Sequence, residues 1–233
     1  LLEASLRLKK TGVVPYGYVW QGRQYEGLSC VFLEILNGFG GNWLNESGKV
    51  NLASKEGIKA AKWLNSLITS GASPKSVTNF SETESLQAFE SGDAAFMRNW
   101  PYAWAELQKE ESVVKGKVGV TTMVSESNIN PSATLGSWGF SILNSSQNKD
   151  EAFQAISFLT SDRAQKDLFI NNGYTPTKSI ILKDPELIKK SPLLPVLEQA
   201  LEIAEPRPQT PMYAQISDVL QKQLSKILTT DND

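Results

Sequence analysis

The stretch RNWPYAWAEL, residues 98–107, places Trp100, Tyr102 and Trp104 around a proline at the predicted start of a helix. Tyr102 and Trp104 would lie about 200° apart on a helix, so the two rings cannot face the same partner. Trp104 shares a helix face with Leu107, and we assign it to the core. Trp100 and Tyr102 are then available to line a cleft and to stack on a flat ligand. The alternative, in which all three aromatic side chains belong to the core, stays open on this stretch alone.

The stretch LGSWGF, residues 135–140, holds a tryptophan between glycines within a predicted strand. A glycine inside a strand weakens it and often marks the close approach of a ligand or of another backbone. Gly136 and Ser137 would bring the backbone next to a ligand, and Trp138 would present an unobstructed ring. The alternative is a β-bulge in which Trp138 is buried.

The stretch YVWQGRQYEG, residues 18–27, reads as a strand that ends in a polar loop, after which a helix begins. Ligands of open α/β sheets bind beyond the carboxyl ends of the strands. The loop offers rings, amides and a carboxylate at that place: Trp20, Gln21, Gln24, Tyr25 and Glu26. The alternative is ordinary helix-start chemistry for Glu26 and solvent exposure for Gln24.

The stretch EPRPQTP, residues 205–211, carries Arg207 between two prolines and is predicted to be a rigid linker. Because the backbone is fixed in advance, little entropy is lost when the guanidinium of Arg207 meets an acceptor. A surface salt bridge is the alternative for this side chain.

The four stretches share the character of a sugar site. A pyranose has apolar C–H faces and a polar rim, so aromatic rings pack on its faces. Amides, carboxylates, guanidinium groups and backbone N–H groups bind its hydroxyls. Four separate stretches that supply this mixture are more informative than any one of them.

The composition excludes several other kinds of protein. The chain of 233 residues has a formal net charge of −2 and carries no basic run, so we expect no nucleic-acid partner. It has no histidine and a single cysteine, Cys30, in an apolar helical run where a packed core thiol is expected. The absence of histidine removes the commonest general base and metal ligand, and we expect neither a cofactor nor a metal.

Two rival functions remain at this stage. A glycoside hydrolase needs two carboxylates that face one glycosidic bond, and Glu26, Glu34 and Glu106 are available. Nothing in the sequence pairs them with the aromatic stretches, and Glu34 and Glu106 are expected on helix surfaces. A binder of phosphate or carboxylate at the helix start near residue 101 would need more Arg and Lys than the stretches contain.

The elements that would position these residues alternate between strands and helices, which predicts an α/β fold with a mainly parallel sheet. Ser54 and the capping box Ser81–Glu84 mark helix starts, and Gly12 and Gly71 mark helix ends. Strands are predicted at VVPYGYVW, DAAFMRN, GKVGVTTM and LGSWGFSIL. The helix after Pro101 is predicted to extend to about residue 111. QGRQYEGL is predicted to lead into a long helix that extends to residue 37. Further helices are predicted near 55–70, 149–160, 162–171 and 211–228, with others opening at Asp184-Pro185 and Ser191-Pro192.

The stretches also resemble a known family in their order and wording. VWQGRQYEGL, GFGGNW, LQAFESGDAAFMRNWPYAW, LGSWGFSILNSSQNKDEAFQAISFLTS and PRPQTPMY are similar to the sugar-binding components of ABC importers. These are the family 1 extracellular solute-binding proteins of the maltose, trehalose and glucosylglycerol group. The resemblance covers nearly the whole chain, and F-x-x-G-x-A-A-F-M followed by N-W-P-Y is its most specific part.

The resemblance implies a type II periplasmic-binding-protein architecture, in which two α/β lobes close on a sugar. Residues 1–134 would form the first part of the C-terminal lobe, 135–191 would cross over to the N-terminal lobe, and 192–233 would return as C-terminal helices. The first part of the N-terminal lobe would be missing, so we expect a piece of a longer or processed protein. Sequence 135–191 would then leave an apolar face uncovered.

The resemblance also implies a function. A di- or oligosaccharide of the trehalose, maltose, sucrose or glucosylglycerol type would bind without chemical change and pass to ABC permease subunits in the membrane. The protein would be a monomer, periplasmic or extracellular, with a lipid anchor as an option for the full-length form. The family's sugar contacts match Trp100, Tyr102, Trp138, Gly136, Ser137, Arg207 and Tyr25, and less closely Trp20 and Glu26.

Overall fold

A computed structural model describes residues 1–230 as short parallel strands surrounded by helices. The strands are β1 (Tyr16–Val19), β2 (Ala94–Met97), β3 (Ala133–Leu135) and β4 (Ala204–Pro206). The helices are α1 (Leu2–Lys10), α2 (Glu26–Gly38), α3 (Lys55–Thr69), α4 (Glu82–Glu90), α5 (Ala103–Leu107), α6 (Lys149–Leu159), α7 (Asp162–Asn172), α8 (Ser179–Leu182), α9 (Pro185–Lys190), α10 (Leu193–Glu202) and α11 (Tyr213–Thr229). A 3₁₀ helix, Lys75–Asn79, precedes α4.

Helix α2 is the centre of the larger core. Its sequence, EGLSCVFLEILNG, is apolar on nearly all sides, as expected of a helix with protein on every face. It packs against α3, α11 and β3, and its Leu28, Phe32 and Leu36 are almost completely buried. Trp20 and Leu64 belong to the same cluster. The helix therefore connects the segments on which the candidate site depends.

The helix boundaries follow local hydrogen-bonding signals, as the sequence predicts. The hydroxyl of Ser54 accepts a hydrogen bond from the backbone N–H of Gly57 at 3.1 Å and so caps α3. Ser81 and Glu84 form the predicted capping box at the start of α4. The glycines after α1 and α3 both adopt positive φ, +73° at Gly12 and +76° at Gly71, which explains why the chain turns there.

The strands confirm the α/β class and its parallel pairing, although they form two pairs instead of one sheet. Strand β1 pairs with β2, and β3 pairs with β4, each in parallel. The predicted strand over 116–123 is wrong, and the one over 135–143 is reduced to its first residue, at the end of β3. Strand β4, by contrast, includes the first two residues of the predicted linker, Glu205 and Pro206. A strand requires a partner with free backbone groups, and within residues 1–230 no strand pairs with 116–123 or with 136–143.

The helix after Pro101 is shorter than predicted, because α5 ends at Leu107. Residues 109–116 follow it as turns, and Gly116 adopts a positive φ of +71°. The helical pattern in the sequence therefore extends beyond the helix itself.

A second, smaller core lies among α7, α8, α9 and α10, with Phe169, Ile181 and Leu194 at its centre. Helix α6, by contrast, has no buried residue. Large apolar side chains on α6 and the preceding segment are exposed: Phe140 and Leu143 by 63% and 74%, and Phe153 and Phe158 by 64% each. We call these four residues the uncovered apolar face.

No helix within residues 1–230 is long and apolar enough to cross a membrane.

Candidate functional site

The candidate site lies where the four strands end. In β1 and β2, Val19 is level with Met97, and in β3 and β4, Leu135 is level with Pro206. Each strand therefore ends beside its partner. The segments that leave these ends carry the predicted ligand-binding residues, as expected for an α/β fold. They are Tyr25, Glu26, Trp100, Gly136 and Arg207.

Glu82 connects two of the predicted aromatic residues. The hydroxyl of Tyr25 donates a hydrogen bond to Oε2 of Glu82 at 2.7 Å. The indole N–H of Trp100 donates to Oε1 of the same carboxylate at 3.0 Å. Burial and the adjoining carboxylate raise the pKa of the Tyr25 phenol well above its usual range. Glu82 is the first residue of α4 and was missed by the sequence reasoning, although the capping box did mark the helix start.

A buried ion pair lies beneath Trp100. The guanidinium carbon of Arg98 is 4.2 Å from the centroid of the Trp100 ring, a cation–π distance. Arg98 binds Glu34 through two hydrogen bonds, from Nε at 2.9 Å and from Nη2 at 2.5 Å. Its Nη1 donates to the amide oxygen of Gln21 at 3.0 Å. The backbone N–H of Thr134 donates to Glu34 as well, at 3.2 Å.

Arg98 and Glu34 are both buried, and their contact keeps Arg98 charged. The side chains of Arg98 and Glu34 are each only 3% exposed. Burial lowers the pKa of Arg98, but the Glu34 carboxylate outweighs it and holds that pKa above its usual range. The expected helix-surface position of Glu34 is therefore wrong: an otherwise apolar helix carries a buried carboxylate because a buried guanidinium neutralises it.

Arg207 is bound to the start of α2. Its Nη1 donates to Oε1 of Glu26 at 2.8 Å, and the side chain remains 32% exposed. The hydroxyl of Tyr213 donates to the same oxygen, and the hydroxyl of Ser217 donates to Oε2 at 2.6 Å. Burial and the bond to Glu26 raise the pKa of Tyr213. Glu26 therefore holds Arg207 in place through one oxygen, and part of the Arg207 side chain stays exposed.

The segment after β3 approaches Trp100 from the side. A Cβ added to Gly136 would lie 3.5 Å from the outer edge of the Trp100 ring, an ordinary van der Waals distance, so Gly136 is next to that edge. Ser137 is exposed, and Trp138 is 97% exposed. The alternative of a buried Trp138 is therefore wrong.

The remaining predicted residues divide between the surface and the core. Tyr102 is half-buried and packs against the cluster of Leu86, Ala103 and Leu107. Burial also raises its pKa. Trp104 packs against the second core, as predicted.

Trp20 is a correction. Its side chain is completely buried, and its indole N–H donates to the hydroxyl of Ser73 at 3.1 Å. The residue follows β1 directly and turns into the larger core, so its ring has no surface to offer a ligand. Cys30 is buried as predicted, and burial raises the pKa of its thiol to about 11.

The three carboxylates considered for hydrolysis do not form a catalytic pair. Glu26 accepts hydrogen bonds from Arg207, Tyr213 and Ser217. Glu34 is buried against Arg98, and Glu106 pairs with Lys109 at 2.5 Å on the surface. Each is therefore engaged with its own partners.

Two ligand-sized cavities lie away from the aromatic side chains. One of 330 Å³ is lined by residues of α7 and α8 and by Asp184 and Pro185. The other, of 310 Å³, lies near the end of α2 and is lined by Asn37, Asn130 and Glu205 among others. Tyr25, Trp100 and Arg207, which we take as the walls of the candidate site, are each partly buried.

Comparison with known proteins identifies the family. The family described as "Bacterial extracellular solute-binding protein" matches residues 1–166. The chain belongs to this family. Proteins of this kind are the solute-binding components of ABC transporters and are not enzymes.

Individual relatives support the assignment of the chain to this family. It is 36% identical to a "Probable ABC transporter-binding protein" of Deinococcus radiodurans over 217 residues, which are 91% of this chain and 51% of the relative. The structure is similar to the maltose-bound MalE3 of T. maritima, with a TM-score of 0.92 and 39% identity over 98% of this chain and 59% of that one. It is also similar to a solute-binding protein of Agrobacterium radiobacter in complex with ribitol, with a TM-score of 0.86 and 26% identity, over 99% of this chain and 59% of that one.

These matches confirm the resemblance and the type II periplasmic-binding-protein fold. The chain spans about half the length of the Deinococcus relative. The activity of a whole protein is therefore a matter for proposal.

Proposed function

We propose that this chain forms most of the sugar-contacting C-terminal lobe of an ABC-importer binding protein. Its ligand would be a di- or oligosaccharide of the maltose, trehalose, sucrose or glucosylglycerol type. The single observation that carries the proposal is the convergence of Tyr25, Trp100, Gly136 and Arg207 at the ends of the four strands. Two rings, a bare backbone and a guanidinium are the groups that a sugar requires.

Each proposed residue has a role that follows from its chemistry. The rings of Trp100, Tyr102 and Trp138 stack on the apolar faces of the sugar, and Tyr25 adds a further ring. Arg207 donates hydrogen bonds to the hydroxyls. The backbone at Gly136 and Ser137 approaches the sugar closely. Glu26 acts by holding Arg207, and we omit Trp20 because it is buried.

The choice of maltose-type sugars rests on two supports. The T. maritima structure that is 39% identical to this chain has maltose bound. The exposed ring of Trp138 and the half-buried ring of Trp100 would each supply aromatic surface on which a sugar ring stacks. The ribitol-bound relative is less similar, at 26% identity, and a polyol would use less of that surface.

The division of the chain into lobes is part of the same proposal. Residues 1–134 and 192–233 would form the C-terminal lobe, and 135–191 would cross over to the N-terminal lobe. Within 135–191, however, α7, α8 and α9 share the second core with α10, which leaves α6 and the segment before it to pack on the N-terminal lobe. The uncovered apolar face supports this division, because exposed phenylalanines on a helix without any buried residue are typical of a surface that another part of a protein covers. The sugar would then lie between the lobes, which close on it by a hinge.

The proposal locates the protein in the periplasm or outside the cell, where a sugar must be captured before import. Its protein partners would be the permease subunits of the importer, and it would act as a monomer. A lipid anchor on the full-length form would keep it at the membrane that holds the permease.

The test is calorimetric titration of the full-length protein with maltose, trehalose, sucrose and glucosylglycerol, with ribitol as the polyol comparison. We expect saturable binding of at least one disaccharide and no release of reducing sugar on incubation. The 233-residue chain titrated in parallel should bind more weakly, because it supplies one wall of the site. Absence of binding to every sugar by a folded full-length protein would contradict the proposal.

A further inference from the structure

Glu82 lies between two aromatic side chains that come from different strands. Tyr25 follows β1 and Trp100 follows β2. The pairing of the two strands does not by itself fix how the two rings lie relative to each other. The carboxylate accepts one hydrogen bond from each, at 2.7 Å from the phenol and 3.0 Å from the indole. One charged group thus fixes two polar tips at once.

Trp100 is held at several points besides its N–H. The guanidinium carbon of Arg98 lies 4.2 Å from the centre of the ring, and Gly136 is next to its outer edge. The amide oxygen of Asn99 accepts from the backbone N–H of Trp100 at 2.8 Å. The amide nitrogen of Asn99 in turn donates to the backbone carbonyl of Glu82 at 3.1 Å. The start of α4 and the Trp100 segment are therefore joined twice, through backbone and through side chain.

We propose that Glu82 is a positioning residue, which fixes Tyr25 and Trp100 relative to each other as one preformed aromatic wall. This inference rests on the proposed function, since the wall serves sugar binding. A ring that is already immobile loses little further freedom when a ligand packs on it, so preorganisation raises affinity without any added contact. Hydrogen bonds to a carboxylate are about twice as strong as neutral ones, which suits a group that must restrain two rings.

The alternative is that Glu82 itself binds a sugar hydroxyl. A carboxylate has about four lone-pair sites, of which the two rings use two. The two roles differ in one respect: a positioning residue acts only through Tyr25 and Trp100, whereas a direct contact acts without them.

The experiment compares Glu82→Gln with Glu90→Gln, which removes the same charge at the far end of α4. The first measurement needs no ligand. In the 233-residue chain, the NMR resonance of the Trp100 indole N–H, assigned by its loss in Trp100→Phe, should move upfield in Glu82→Gln and stay in place in Glu90→Gln. The phenol of Tyr25, followed by ultraviolet absorbance against Tyr25→Phe, should ionise at lower pH in Glu82→Gln.

The second measurement is sugar affinity in the full-length protein. Glu82→Gln should weaken binding about tenfold, equivalent to about 1.4 kcal/mol, while Glu90→Gln leaves it unchanged. When Tyr25→Phe and Trp100→Phe are both present, adding Glu82→Gln should cause no further loss. A full further loss in that background would show direct contact and overturn the positioning role.

The remaining outcomes separate the two proposals. If the wild type binds sugar and Glu82→Gln binds it equally well, the positioning role is wrong and the proposed function stands. If the Trp100 resonance does not respond to Glu82→Gln, the restraint is absent and the inference is likewise wrong. A wild type that binds no sugar would refute the proposed function, and it would also refute the role of Glu82 in sugar binding.

Discussion

The pair formed by Arg98 and Glu34 gives the sharpest prediction about stability. Removing one partner leaves the other as an uncompensated buried charge, which costs about 3–5 kcal/mol. Replacing Glu34 by Leu also deprives the backbone N–H of Thr134 of an acceptor, at a cost of about 1–3 kcal/mol. Domains are stable by about 5–15 kcal/mol in total, so we expect Glu34→Leu to lose a large part of its stability.

The double variant Glu34→Leu/Arg98→Met separates the charge effect from packing. Buried ion pairs can be replaced by apolar residues of similar volume with little loss. The double variant should therefore be at least about 2 kcal/mol more stable than the sum of the two single losses predicts. Asp218→Asn is the control, because it breaks an exposed ion pair with Lys222 whose partners are 54% and 55% exposed and which contributes about 0.5 kcal/mol at most.

The assay is urea unfolding at 25 °C followed by circular dichroism at 222 nm, from which the free energy of unfolding is extrapolated. A loss below about 1 kcal/mol for Glu34→Leu, the range of a surface pair, would show that water reaches the site. Additive losses in the double variant would show that shape alone, without charge, accounts for the effect. Either result would refute the reasoning.

Four further predictions follow from the structure. In the full-length protein, Trp100→Ala and Trp138→Ala should each weaken sugar binding by about 1–4 kcal/mol in calorimetry; unchanged affinity in both folded variants would show that neither ring contacts the sugar. Cys30, buried and with a pKa of about 11, should resist a thiol reagent at pH 8 until the chain is unfolded in urea, and rapid labelling of the folded chain would contradict its burial. Ser54→Ala should lower the free energy of unfolding by about 1 kcal/mol through loss of the cap on α3. A urea midpoint equal to that of the wild type would show that the cap does not stabilise the chain. The raised pKa of Tyr25 favours the neutral phenol in the folded state, so its contribution to stability is full below about pH 10 and falls as pH rises further. In thermal melts, the melting temperature of Tyr25→Phe should therefore fall less steeply above about pH 10 than that of the wild type. An equally steep fall in both proteins would contradict this prediction.

Local signals in the sequence predicted the helices well. Ser54, the box of Ser81 and Glu84, and the glycine after α3 each determine a backbone hydrogen bond within a few neighbouring residues. Such information is complete within a short window, because a cap depends on its own turn and on little else. The segments that leave the strand ends were found for a similar reason, since rings and glycines next to a strand are visible in a single stretch.

Pairing over long distances was not visible in the same way. Strand β4 lies in a proline-rich stretch and becomes a strand only because β3, about 70 residues earlier, runs beside it. The sequence predicts a surface position for Glu34, because its buried partner Arg98 lies 64 residues away. Glu82 carried no signal beyond its place in a helix start, because its two partners, Tyr25 and Trp100, lie 57 and 18 residues away. In each case the decisive neighbour is distant in sequence.

Helix α2 has a consequence for how such a protein could change its ligand. The helix begins at Tyr25 and Glu26, which hold Glu82 and Arg207, and about two turns later it carries Glu34, which holds Arg98 beneath Trp100. A small shift of α2 would displace Tyr25, Arg207 and Trp100 together. Substitutions along this helix are therefore expected to abolish sugar binding and not to change which sugar is bound. New selectivity would arise more easily in the solvent-facing loop at 136–138, where a side chain can be exchanged while α2 stays still.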